Sequence, residues 1–152
     1  MPYSTADARK QLLESVAEAG EHLADALASL SEAYEQLDDA TAERLEDQLF
    51  RPVQRAYGRV RSAYAEFAKR HELQGRELGQ ATRAAPSHGV KELIETATGD
   101  VHRADTALST LQDSLLPIEV GDSELRADLE RVRALISGLD GRARELLRTF
   151  GR

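Results

Sequence analysis

Apolar residues recur along this chain at alternating steps of three and four, in four separate strings. The first runs Leu13, Val16, Gly20, Leu23, Leu27, Leu30, Tyr34, Leu37, and the second Val53, Tyr57, Val60, Tyr64, Phe67, His71, Gln74, Leu78. The third is Val90, Ile94, Ala97, Val101, Ala104, Leu108, Leu111, Leu115, and the fourth Leu125, Leu129, Val132, Ile136, Leu139, Ala143, Leu146, Phe150. Such spacing is the heptad seam of α-helices, and the residues between the seams are mostly Ala, Glu, Arg and Gln, which favour helix. The pattern predicts helices over about 4–38, 41–83, 88–115 and 122–150. Breaks fall at LDDAT (37–41), AAPSHG (84–89) and LPIEVGDS (116–123). Ser4 with Asp7 forms a capping pattern, Ser87 and Asp122 are candidate N-caps, and Pro117 stops the third helix.

Matched strings of this kind predict an all-α fold, a single-domain antiparallel up-down-up-down four-helix bundle packed at a shallow left-handed angle. Each seam spans about 26 residues, or about 39 Å of helix. Leu12, Leu93, Leu135 and Leu147 broaden the stripes to the width a globular bundle needs. Charge points the same way. Residues 1–40 carry a net charge of −7, 41–85 of +3, 86–120 of −4 and 121–152 of +1. In simple alternation every adjacent pair of helices would differ in sign. One irregularity interrupts the second segment: counting back from Val53, Leu49 and Leu45 give two consecutive steps of four, beside Pro52. Proline removes a backbone donor and disfavours helix at the residue before it. A kink or break near Pro52 is therefore expected.

Composition narrows the function. At 152 residues the chain can bury a core without staples, and with no cysteine it has no disulfide, thiol nucleophile or thiolate metal site. No apolar run approaches the ~20 residues that span a bilayer, and the first residues lack a signal-peptide core. The expectation is a soluble, cytoplasmic protein with no integral membrane association. Lysine occurs only as Lys10, Lys69 and Lys91, an arginine bias in keeping with a GC-rich, bacterial coding sequence. The net charge of −7 argues against a general polyanion binder.

The stretch RPVQRAYGRVRSAYAEFAKRHEL from position 51 interleaves arginines with aromatics, as many nucleic-acid surfaces do. Helical periodicity resolves it differently: Tyr57, Tyr64 and Phe67 fall on the seam, while Arg51, Arg55 and Arg59 share another face, where they could meet acidic flanks of the first and third helices. Di-metal bundle sites need Glu-x-x-His, and the residues three before His22, His71, His88 and His102 are Ala19, Ala68, Ala85 and Gly99. No metal, cofactor or catalytic residue is expected. His22 with Glu18, and His102 with Asp105, read as helix-surface pairs. His71 is the one histidine on a seam, and with Gln74 and Tyr64 it could border a ligand pocket beside Ala8, Ala97 and Ala143. Gly20 is expected opposite Tyr57. The reading that follows is a non-enzymatic protein-interaction or self-assembly module, with Phe50, Arg51, Arg55 and Arg59 as its surface and a protein partner or second copy as its target. A small-molecule-binding bundle and a peripheral lipid-surface binder are the alternatives.

Overall fold

A computed structural model describes residues 4–78 and 89–151, and among these the protein is helical with no strand. The first helix, α1 (Thr5–Glu35), begins where the Ser4 hydroxyl accepts the Asp7 N–H at 3.1 Å, satisfying a donor that the first turn leaves free. Three residues later α2 (Asp39–Leu45) starts in the same way, with Asp38 accepting from Thr41 at 2.8 Å. A π-helical turn, Glu46–Phe50, joins it to α3 (Arg51–Arg70). Next come α4 (Val90–Asp113) and the short α5 (Leu116–Glu119), then α6 (Ser123–Ile136) and α7 (Leu139–Arg148), closed by a 3₁₀ turn over Thr149–Gly151. Among the described residues no helix is long and apolar enough to cross a membrane.

The seams fill one continuous core. Leu13, Val16 and Leu23 meet Val60, Tyr64 and Phe67, with Ile94, Val101 and Leu108 and with Leu129, Val132 and Ile136 completing it. Three seam positions fall outside: Tyr34, Gln74 and Leu115 are exposed.

Order around that core departs from simple alternation. α1 packs extensively on α3 and α4, and α6 packs on the same two, so α1 and α6 lie diagonally, as do α3 and α4. The short turn at 36–38 sends α2 and α3 back along α1. α4 also opposes α1: Gln11 shares a groove with Ser114 and Leu116, and His22 approaches Asp100. Likewise α6 opposes α3, with Asp122 at the end of α3 beside Arg70. Every packed pair is thus antiparallel, but α3 and α4 run in the same direction. The order is up-down-down-up, and the chain must return the length of the molecule between them. Residues 71–78 begin that return, because Arg76 N–H reaches the Tyr64 hydroxyl at 2.9 Å and Leu78 packs beside Val60.

This crossover explains why the second helix stops at Arg70 and not near 83. Glu72 adopts a left-handed φ of 52°, while the N–H groups of Glu72 and Leu73 bond to the carbonyls of Lys69 and Ala68. That is a Schellman stop, with half-buried Leu73 supplying its hydrophobic contact. The alignment around Gly20 shifts as well. A Cβ there would lie 2.9 Å from Leu78 and 3.0 Å from Val60, so the missing side chain admits the returning chain and not Tyr57.

Pro52 causes no break. The helical backbone runs through it, and the Arg51 N–H donates to the Glu46 carbonyl five residues back. The wider turn takes up one extra residue, which is what two successive steps of four require, and it does so where Pro52 has no N–H to offer. The fourth segment, expected to be one helix over 122–150, is divided instead. Ser137 turns extended and Gly138 takes φ +77°, a conformation that costs a residue with a Cβ about 1–2 kcal/mol. The apolar phase survives, because Ile136 and Leu139 on either side are both buried.

Candidate functional site

Several clusters of polar side chains result from this packing. The first lies where α3 ends against the start of α6. Asp122 caps α6 through the Leu125 N–H at 2.8 Å and receives Arg70 Nε and Nη2 at 2.8 and 2.9 Å. His71 Nε2 approaches the same carboxylate at 2.9 Å, and its ring stands 4.4 Å from Phe67, tilted by 48°. Burial pushes the Asp122 carboxyl up. The Arg70 hydrogen bonds, the Leu125 N–H and His71 outweigh that and leave it at about 2. Of the residues grouped with His71 in the sequence, Tyr64 is buried, its hydroxyl accepting from Arg76, while Gln74 points to solvent. His71 meets an acid at the head of α6, 51 residues away in the chain.

The second cluster is the basic face of α3. Arg51 pairs with Asp47 at 2.8 Å and lies 3.7 Å from Glu46, both on its own helix. Arg59 reaches Asp128 of α6 at 3.4 Å, and Asp128 also receives Arg131 at 3.3 Å. Neither arginine meets the acidic flanks of α1 or α4. Arg55 is exposed beside Ser62 and Glu66, and Phe50 is half-buried against the core. Two basic groups lie over aromatics of their own helix, exposed Arg61 5.7 Å from the half-buried Tyr57 ring and exposed Arg70 5.9 Å from the buried Phe67 ring.

The diagonal arrangement also alters the charge layout. It sets the acidic α1 segment against the acidic α4 segment, and the basic α3 against the weakly basic α6, so adjacent pairs do not all differ in sign. At the α3–α6 seam the local sign is reversed by Asp122 and Asp128 between arginines. At the α1–α4 seam, His22, Asp25 and Asp100 converge, with one candidate ligand atom of each within 4.8 Å of the others. Asp100 receives Arg103 at 2.7 Å and is only 14% exposed. Burial raises its pKa, Arg103 opposes that shift, and the nearby Asp25 reinforces it. Sequence reasoning noted His22 with Glu18, a pair now 3.9 Å apart, but not Asp25 three residues on, whose partner on α4 only packing supplies.

The crossover is tied down separately. Arg76 grips Glu14 at 2.7 Å and Glu21 at 2.6 Å, and the pairing holds Glu14 below the usual carboxylate range. No family model, curated protein or solved structure matches the chain.

Proposed function

We propose that this chain is a non-enzymatic four-helix bundle that works as a self-assembly module, joining a second copy through the corner between α4 and α6. The observation that carries the reading is the exposure of Leu115 and Ile118, at 64% and 69%, where among the described residues Tyr34 is the one other large apolar side chain that is exposed. Isolated exposed aliphatics are ordinary, but two at one corner beside a groove make a candidate contact. That groove is lined by Pro117, Ile118, Arg126, Ala127, Leu129 and Glu130. Arg126 and Glu130 put both signs of charge on its rim. A two-fold contact needs such a patch, since each residue meets its counterpart's complement. The Phe50–Arg59 face is less suited, because Arg51 and Arg59 are engaged within the molecule.

Sedimentation of the wild type and of a Leu115→Glu/Ile118→Glu variant over a wide concentration range tests the assignment. The wild type should gain mass with concentration, and the variant should stay monomeric with unchanged helicity. A wild type that remains monomeric throughout removes the self-assembly reading.

A further inference from the structure

We propose that His22, Asp25 and Asp100 form a divalent-cation site bridging α1 and α4, with the nitrogen-and-carboxylate donor set that suits zinc. His22 and Asp25 are three apart on α1 and so project from one face, and Asp100 arrives from the opposing helix. One candidate donor atom from each lies within 4.8 Å of the other two. Tetrahedral zinc holds such atoms at about 2.0–2.2 Å, which sets them about 3.4 Å apart. Side-chain rotation can close that difference without moving a helix. An imidazole with two carboxylates leaves at least one position for water, and all three residues are half-buried, so the site is open on one side.

The electrostatics of the same interface point to a cation independently of the geometry. α1 and α4 make the most extensive contact in the protein although both segments are acidic. Where the two basic segments meet, acids sit between the arginines. Here the compensation is incomplete. Arg103 occupies Asp100 Oδ1 and leaves Oδ2, and among the described residues Asp25 makes no hydrogen bond or ion pair. Two carboxylates, one of them 14% exposed, therefore meet with a single guanidinium on one of their four oxygens. A divalent ion at this point neutralises both acids and pins the helices together.

The full-length chain, stripped with chelator, is titrated with zinc by calorimetry and melted with and without the metal. One saturable site is expected. Free zinc at about a hundred times Kd should lower the unfolding constant about a hundredfold. Asp100→Asn and Asp25→Asn should each weaken zinc binding by at least about tenfold. Without metal, both variants should be no less stable than the wild type, since each removes one of two like charges. His102→Ala, a nearby exposed histidine outside the trio, should bind as the wild type does. The proposal is overturned by the absence of saturable zinc binding, by equal binding in both Asn variants and the wild type, or by binding that is lost with His102 and kept without Asp100.

Discussion

Asp122 is the residue on which the junction of α3 and α6 depends, since one carboxylate caps a helix, holds a guanidinium through two hydrogen bonds and meets an imidazole. Its pKa of about 2 lies below the ordinary 3.8, and that difference carries stability. For an acid whose folded pKa is depressed, the contribution is fully present above the unfolded value and is lost as pH falls through the folded one. The window therefore runs from about pH 4 down to about pH 2. With about a quarter of the side chain exposed, solvent screening leaves roughly 1–2 kcal/mol for this term. Asp122→Ala should cost roughly 2–3 kcal/mol at neutral pH through the lost cap and the abandoned Arg70. Asp122→Asn, which can still cap, should cost less and flatten the pH dependence in that window, as urea denaturation at a series of pH values would record. Sequence marked both partners, Asp122 as a cap and His71 as the one histidine on a seam. Their meeting was not legible, because nothing local to either residue says which helix lies opposite.

At the scale of elements, the slip of phase before Pro52 was visible in the chain, but its structural solution was not. Ala42, Leu45, Leu49, Val53 and Ala56 are all buried, and only a turn wider than an α-helix keeps them on one face. Deleting exposed Gln48 shortens the steps to three, three, four and three, so the π turn becomes unnecessary. That deletion should leave a folded protein with a Tm within a few degrees of the wild type. Deleting exposed Arg61 should be severe. With the π turn kept, Ala63, Tyr64, Phe67 and Ala68 rotate off the core, and with it lost, Val53, Ala56 and Val60 do. Misplacing several buried side chains costs well over about 4 kcal/mol, enough to abolish cooperative melting.

For the molecule as a whole, the deciding feature is the chain's return after α3. Helices 1, 2 and 3 of a simple alternating bundle would need only short links, and the four strings fit that arrangement equally well. Gly20 and Arg76 show why the longer route is taken. The notch at Gly20 receives Leu78, and Arg76 is gripped by two glutamates of α1 while its backbone bonds Tyr64. Gly20→Leu fills the notch and should expel Leu78, leaving helix content nearly unchanged and making Arg76 accessible to trypsin at least about tenfold faster than in the wild type. Cleavage after Arg76 at equal rates in both proteins, read by mass spectrometry, would mean that residues 71–78 are not fastened through this notch.

The sequence by itself determined that this protein is all-helical, where α1 and α6 start, and most of the side chains that are inside. Those properties follow from periodicity, capping and propensity, which act within a few residues along the chain. It could not determine which helices would be neighbours, because an apolar seam is equally well buried against any other seam of similar length. Tertiary structure made that choice, placing α1 between α3 and α4, dividing the last helix at Gly138 and bringing two acidic segments together. The trio of His22, Asp25 and Asp100 exists only as a consequence of that choice, since its members share no local pattern beyond a spacing of three.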